Sequence, residues 1–316
     1  MNGEKTEEGP DLRSIAALLF LALIWGASIP VTKLGLQDFP PLTLTALRYL
    51  AAAPCFLAFV LMRRRPPLRA LLGMLGLGIV GIGVGQTLQA LGVQRTSASV
   101  ATVITAIIPI LVVLLAALRL GQALRWRHAL GLAAAFLGIA LVAIGDPRNI
   151  LAALARGSLE GDALMLLSAL AISGYYGFSM ELVSRYSATT VASWTSLAGA
   201  AALAPFMLWE LRTEPATLRI EGICAVLYLG LLVTVLGVWI WLRALTRVPA
   251  RVAASLQYLQ PLVGVALSAA IFGESLDFWF GLGTTLVLAG IAIGTISSRR
   301  MPGGDTGRSL RASTRN

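Results

Sequence analysis

Two stretches of the chain decide the fold: "RTSASVATVITAIIPILVVL", residues 95–114, and "RVPARVAASLQYLQPLVGVA", residues 247–266. A shift of 152 residues places Arg95 on Arg247 and Pro109 on Pro261. The same shift continues without a gap until Gly138-Ile-Ala meets Gly290-Ile-Ala. A match of this length at one fixed offset indicates an internal duplication.

The composition indicates an integral membrane protein. Hydrophobic residues make up 57% of the chain, charged residues 13%, and the mean hydropathy is +0.81, whereas soluble domains have about 25% charged residues. Barrel strands would alternate in polarity every second residue, and these stretches do not. The apolar runs that are long enough to cross hydrocarbon as helices lie near 13–34, 42–62, 71–93, 98–118, 127–145, 161–184, 189–209, 222–243, 251–272 and 278–297.

The runs predict an all-α membrane protein with ten transmembrane helices in two five-helix repeats. An odd number of helices per repeat turns the second copy upside down in the membrane, which is the inverted-repeat plan of many transporters. We assign the first repeat to residues 1–146 and the second to 147–300. The Gly, Ser, Thr and Arg of residues 301–316 predict a disordered tail.

The net charge of +10 reflects topology. Basic residues concentrate in alternate loops, most clearly at Arg63, Arg64 and Arg65, and at Arg299 and Arg300 after the last run. The positive-inside rule then places both termini in the cytoplasm. We expect a multi-pass protein of a bacterial cytoplasmic (inner) membrane, with lipid contacts and no nucleic-acid partner. Cys55 and Cys224 fall inside the runs, so we expect free, packed thiols.

Several motifs resemble a known family. They are "WGASIPVTKLGL" at 25–36, "LTLTALRYLAAAP" at 42–54, the two proline helices, and "IFGESLDFWFGLGTTLVLAGI" at 271–291. Together they look like the two EamA repeats of the drug/metabolite transporter superfamily, and are most similar to bacterial amino-acid exporters, including aromatic amino-acid exporters. The resemblance implies ten helices with both termini inside. The family's Gly-Glu pair is kept at Gly273-Glu274, but its first copy reads Gly121-Gln122.

Charge at membrane depth is scarce. Arg48 alone lies well inside a run, and no acid or histidine does. We expect Arg48 to snorkel or to bind backbone carbonyls, with carboxylate binding as the alternative. The shortage of buried acids argues against an enzyme, a metal site or a cofactor, and favours neutral or zwitterionic solutes.

The ninth run carries the first candidates for substrate binding. Gln257, Tyr258 and Gln260 lie in the turn before Pro261, whose ring removes the helical partner of the Gln257 carbonyl. These groups either line a cavity or act as hydrogen-bonded contacts between helices. The equivalent turn before Pro109 carries Thr102 and Thr105.

Other runs supply the remaining candidates. The further predicted binding residues are Trp25, Ser28, Gln86, Tyr175, Tyr176, Ser179 and Trp239. The predicted conformational residues are Pro30, Gly81, Gly85, Pro109 and Pro261. For each aromatic residue the alternative role is an anchor at the membrane interface, and for the glycines it is close packing of helices.

These observations predict a secondary transporter. It would export neutral or amphiphilic metabolites, above all aromatic and other neutral amino acids, by alternating access through a midplane cavity, and it would work as a monomer. A passive channel or a structural membrane protein is the alternative from another class. Within the superfamily, a drug exporter or an exporter of other metabolites stays open.

Overall fold

The computed structural model describes residues 12–119, 126–144, 158–245, 247, 256–257 and 259–296, and the elements in these residues are helices. The helices are α1 (Leu12–Gly26), α2 (Ser28–Gly35), α3 (Pro41–Leu61), α4 (Leu68–Leu77), α5 (Gly85–Arg95), α6 (Ala98–Thr105), α7 (Ile108–Arg119), α8 (Trp126–Ile144), α9 (Ser158–Arg185), α10 (Ala188–Thr213), α11 (Ile220–Leu227), α12 (Gly237–Leu245), α13 (Leu259–Phe272) and α14 (Phe278–Ile296). Two π-helical segments, π1 (Gly78–Val84) and π2 (Tyr228–Leu236), join α4 to α5 and α11 to α12.

Among the described residues, six continuous helical stretches are long and apolar enough to cross a membrane. They are Leu12–Gly35, Pro41–Leu61, Leu68–Arg95, Ser158–Arg185, Ala188–Thr213 and Ile220–Trp241. Four apolar helices are shorter: Ala98–Val112, Ala129–Ile144, Leu259–Phe272 and Phe278–Ile293. The described helices therefore coincide with the predicted runs, while the count of ten membrane crossings stays a prediction.

The helix of the fourth run is interrupted just before a proline. Between α6 and α7 the helix is interrupted at Ala106 and Ile107, just before Pro109. Proline has no N–H to donate, so the Thr105 carbonyl loses its helical partner. The break lies at the predicted place, although the Pro109 ring itself is exposed.

The glycine-rich third run changes from α-helical to π-helical hydrogen bonding. Residues 78–84 form π1, and the shift of 152 residues places them inside π2. A π-helix bonds each N–H to the carbonyl five residues back and is rare outside functional sites. The structure shows an equivalent wider turn in both halves, and bending at these residues stays a prediction.

The last helices of the two halves, α8 and α14, cross through glycines. A Cβ atom built on Gly138 would lie 2.5 Å from the Gly283 carbonyl oxygen, and one built on Gly283 would lie 2.6 Å from the Gly138 oxygen. Gly290 meets the Gly131 carbonyl in the same way. Because Gly131 and Gly138 meet Gly290 and Gly283 in reverse order, the two helices run antiparallel.

Exchanging the two halves leaves the pattern of helix packing unchanged. The pair α3 with α10 joins corresponding helices of the two halves. The packing of α5 on α9 has its counterpart in the packing of α12 on α1, and the packing of α7 on α9 in that of α13 on α1. The fold is therefore assembled mainly from contacts between the two halves.

The two cysteines are free, as expected, but they are not packed. Cys55 and Cys224 are both exposed on the surface of the chain. Thiols are small enough to face lipid at little cost, so burial inside the bundle is not required of them.

Gly138→Ala is expected to lower the stability of the protein by about 1–3 kcal/mol, because the added methyl group forces α8 away from α14. Gly281→Ala in α14 is the matched control, since a Cβ atom there meets nothing within 4 Å. Thermal unfolding in one detergent measures both variants. Equal melting temperatures for the two variants would contradict the close crossing.

Candidate functional site

Loops and helix ends meet at one end of the bundle, here called the Lys33 face: residues 33–43, 93–99, 158–162, 210–219 and 274–277. The Lys33 ammonium group donates to the carbonyl oxygens of Val93 at 2.7 Å, Gln94 at 3.2 Å and Thr96 at 2.6 Å. These carbonyls end α5, where the unpaired oxygens and the helix dipole attract a cation. The contact ties the end of α2 to the end of α5.

Two glutamates cap helix N-termini on the Lys33 face. Glu274 accepts from the backbone N–H groups of Ala98 at 2.8 Å and Ser99 at 2.9 Å, at the start of α6. Glu210 accepts from the N–H groups of Leu42 at 3.1 Å and Thr43 at 2.6 Å, and from the Thr43 hydroxyl at 2.7 Å. Each carboxylate belongs to the second half of the chain and caps a helix of the first half. Glu274, the acid of the Gly-Glu pair that the sequence shares with the family, therefore binds a helix of the first half.

Two aspartates extend these contacts. Asp162 on α9 accepts from the Thr96 hydroxyl at 2.6 Å, and Asp38 accepts from the Thr217 hydroxyl at 2.9 Å. Asp162 and Glu210 both lie on helices and are buried. A buried carboxylate needs hydrogen-bond donors, and distant helix ends supply them here.

A second polar group, here called the Arg48 junction, lies deeper. Arg48 on α3 donates through Nε to the Thr234 hydroxyl at 3.0 Å and through Nη1 to the Gln86 side-chain oxygen at 3.0 Å. Arg48 lies about 10 Å along α3 from Pro41, at 1.5 Å per residue. The expectation that Arg48 binds backbone carbonyls is wrong, because its hydrogen bonds among the described residues go to side chains from both halves. Snorkelling toward the membrane surface stays a prediction.

A small cavity borders the Arg48 junction. Its volume is about 10 Å³, which is room for roughly one water molecule. The lining residues are Thr32, Leu44, Thr45, Arg48, Gln86, Gln89, Ala90 and Leu229. Polar side chains from α2, α3 and α5 thus converge on one guanidinium group.

A larger cavity of about 380 Å³ lies toward the end opposite the Lys33 face. It is lined by Cys55, Phe56, Phe59, Thr189, Ser193, Val235, Val238, Trp239 and Arg243. The buried Ser193 hydroxyl has no hydrogen-bond partner in the part of the chain that the structure describes. The cavity is mostly apolar and lies between α3, α10 and the π2–α12 stretch.

Five of the predicted binding residues make hydrogen bonds to backbone carbonyls. The Trp25 indole donates to the Val233 carbonyl oxygen at 3.0 Å. Four hydroxyls donate within their own helical stretch: those of Ser28, Thr102, Thr105 and Ser179. Their donors are occupied, so these contacts support packing, and a role in binding stays a prediction.

Three aromatic candidates differ in exposure. The Tyr175 hydroxyl lies 3.1 Å from the Thr195 hydroxyl, and its ring lies against Gly81. The neighbouring Tyr176 is 50% exposed and Trp239 is 56% exposed, so both present apolar surface to open space. The Tyr175 and Tyr176 rings lie 5.3 Å apart between centroids.

The ninth run is described only in part. The Gln257 amide is buried and has no hydrogen-bond partner among the described residues. An interhelical contact of the predicted kind would supply such a partner. The side chain of Gln260 is partly exposed, and its backbone carbonyl lies against Gly26. Tyr258 lies outside the described residues.

The predicted conformational residues occupy packed positions. Gly81 and Gly85 meet Tyr175 and Ile172 of α9. Pro30 and Pro261 are buried near the starts of α2 and α13. Movement at any of them stays a prediction.

Of the predicted binding residues, Gln86 lines the small cavity and Trp239 the large one. Gln89, which forms a polar stripe with Gln86 in the sequence, also lines the small cavity. Sequence reasoning missed Thr234, whose signal was a polar side chain in an apolar helix. In the part of the chain that the structure describes, no three His, Cys, Asp or Glu residues are grouped as metal ligands.

Long apolar helices, packing between duplicated halves and a buried polar junction define a multi-pass membrane protein of the transporter type. The model of the EamA-like transporter family matches the chain twice, at residues 12–144 and 159–296. The chain belongs to this family.

Similar proteins carry transporter names. The chain is 28% identical to a "Probable terminal-alkyne amino-acid exporter" of Streptantibioticus cattleyicolor, over 89% of the chain and 93% of that protein. It is 29% identical to a "Probable amino-acid metabolite efflux pump" of Salmonella typhimurium, over 89% and 94%. It is 27% identical to the "Uncharacterized inner membrane transporter YedA" of Escherichia coli K12, over 84% and 86%.

A solved crystal structure has the same fold. It matches with a TM-score of 0.62 at 20% identity, over 92% of this chain and 99% of that one. The match shows the helical architecture alone.

Glu210→Ala is expected to destabilise the protein by about 1–3 kcal/mol, because it leaves the first N–H groups of α3 and the Thr43 hydroxyl without an acceptor. Glu214→Ala, at an exposed position four residues on, is the matched control. Melting temperatures in detergent measure both changes. A loss of stability as large in Glu214→Ala would contradict the capping role.

Proposed function

We propose that the protein is a secondary transporter that exports neutral or amphiphilic metabolites, above all aromatic and other neutral amino acids. The observation that carries the proposal is the Arg48 junction, a polar group deep between two EamA repeats. The names of the relatives favour amino acids. No cofactor takes part, and one chain is the working unit.

The proposed arrangement is ten transmembrane helices in two inverted repeats, residues 1–146 and 147–300. The antiparallel crossing of α8 and α14 supports the inversion, since equivalent helices point in opposite directions. Both termini face the cytoplasm of a bacterial inner membrane, and the Lys33 face is then the outer end. Residues 301–316 form a cytoplasmic tail.

Transport proceeds by rocking of one repeat against the other. The contacts of Glu210, Glu274 and Asp162 hold the two halves together at the Lys33 face, while the larger cavity lies toward the opposite end. This combination fits a state that is closed outside and open inside. For the outer end to open, these contacts between the halves must separate, and π1, π2 and the break before Pro109 provide the bending points.

Flux into proteoliposomes tests the proposal. The purified full-length chain is reconstituted and given a panel of radiolabelled amino acids, with and without a pH gradient. A carrier gives saturable uptake that is accelerated by unlabelled substrate inside. Flux that rises linearly with concentration and lacks this acceleration would indicate a channel, and no flux above empty liposomes for any amino acid would refute amino-acid transport.

Topology is tested with Arg64→Cys in a variant that lacks Cys55 and Cys224. The proposed orientation puts position 64 in the cytoplasm, so an impermeant thiol reagent should label it in inside-out vesicles and leave it unlabelled in intact cells. Arg212→Cys, on the Lys33 face, is the matched control and should give the reverse result. Labelling of position 64 in intact cells would overturn the orientation.

Gln257→Ala and Tyr258→Ala test the predicted lining of the pathway by the ninth run. Tyr258→Ala is expected to reduce the flux of large neutral amino acids most, because a phenol offers both a ring face and a hydroxyl. Gln257→Ala should act with less dependence on substrate size, since an amide contacts polar groups. The measurement is flux per folded transporter; unchanged flux per molecule in both variants would remove this turn from the pathway.

A further inference from the structure

We infer that the Arg48 guanidinium group binds a carboxylate of the transported solute, which makes a single carboxylate group a requirement for recognition. The inference rests on the proposed transport function and specifies its substrate class. Under this inference the Arg48 junction binds the solute, in addition to joining helices of the two halves.

The first argument is charge. Among the described residues, the hydrogen bonds of Arg48 go to Thr234 and Gln86, which are both neutral. The carboxylates of Glu210 and Glu274 are engaged with helix N-termini at the Lys33 face. A cation held at membrane depth beside neutral partners is a binding position for an anion.

The second argument is hydrogen-bonding capacity. A guanidinium group has five N–H donors in one plane, and the contacts with Thr234 and Gln86 use two of them. The unused donors include both N–H groups of Nη2. A carboxylate matches such a planar fork with two parallel hydrogen bonds, whereas an amide offers one oxygen and no charge.

The third argument is the fixed position of the guanidinium group. The Thr234 hydroxyl donates to the Leu229 carbonyl oxygen at 2.8 Å, five residues back in π2. Its oxygen therefore remains an acceptor for Arg48 Nε. Gln86 accepts from the opposite side, so the two partners hold the guanidinium group in one orientation and leave its remaining edge for a ligand.

The surroundings suit an amino acid with an apolar side chain. Gln89, Thr45 and Thr32 line the cavity beside Arg48 and can bind an amino group. The half-exposed ring of Tyr176, 5.3 Å from the Tyr175 ring between centroids, offers an apolar surface. One cation suits a monocarboxylate better than a phosphate ester, which carries close to two negative charges.

The junction also joins the two repeats. Arg48 and Gln86 belong to the first half and Thr234 to the second. A carboxylate bound there contacts both moving parts, so its binding is sensitive to their relative position. This location is expected of a site that is exposed to each side in turn.

Four matched probes test the inference on the purified full-length protein. They are L-phenylalanine, 3-phenylpropionate, L-phenylalaninamide and phenethylamine, of which only the first two have a carboxylate. Binding is measured by isothermal calorimetry and transport by counterflow in proteoliposomes. The wild type is expected to bind the two carboxylates about 10- to 100-fold more tightly than the other two probes.

Arg48→Gln should bring all four affinities within about twofold of one another, while Arg48→Lys should keep part of the preference, because a point charge remains without the planar fork. Arg69→Gln, at an exposed position near the start of α4, is the matched control and should behave as wild type. If Arg48→Gln does not fold, Thr234→Val replaces it. That variant keeps the charge but releases one partner, and should weaken binding of the carboxylates several-fold and leave the other probes unchanged.

The outcomes separate the two proposals. If the wild type transports the probes without preferring carboxylates, the role of Arg48 is refuted and the transporter stands. If the preference survives in folded Arg48→Gln, or if Thr234→Val binds the carboxylates as tightly as the wild type does, the role of Arg48 is likewise refuted. If the wild type neither binds nor transports any of the four probes, aromatic amino-acid export is refuted together with the inference.

Discussion

Backbone N–H and C=O groups that lie in hydrocarbon need hydrogen-bond partners inside the protein, and helices leave such groups unpaired at their ends. In this fold the unpaired groups determine where the buried charges lie. Lys33 is placed at carbonyls that end α5, and Glu210 and Glu274 at N–H groups that begin α3 and α6. Lys33, Glu210 and Glu274 are thus engaged at helix ends. The hydrogen bonds of Arg48 among the described residues go instead to neutral side chains.

The same hydrogen bonds join the two halves of the chain, whose relative movement we propose. Each carboxylate contact of Glu210, Glu274 and Asp162 crosses from the second half of the chain to the first, as does the bond from Arg48 to Thr234. In the rocking that we propose, all of these contacts change together. The bonds at the Lys33 face are direct and short, so under this proposal they stabilise the state that is closed at that face. The crossing of α8 and α14 lies apart from these contacts, where two helices touch backbone to backbone.

The sequence predicts the features that depend on residues close together in the chain. The duplication, the positions of the helices and the break before Pro109 follow from periodicity and from proline chemistry. The burial of Asp162 and Glu210 does not, because their partners Thr96 and Thr43 lie 66 and 167 residues away. The partners of Arg48 are likewise distant in sequence. The sequence offers Trp25 as a binding residue, but its hydrogen bond to the Val233 carbonyl depends on packing between the halves.

The π-helical segments set the orientation of the helices that follow them. A π turn holds more residues than an α turn, and each α-helical residue rotates the chain by about 100°. The wider turn of π1 therefore sets the rotation of α5, and with it the side of the helix on which Gln86 faces Arg48. Since π2 contains the equivalent positions, a wider turn also precedes α12 in the second half. Thr234 lies within π2, so both hydrogen-bonding partners of Arg48 are positioned by this departure from α-helical geometry.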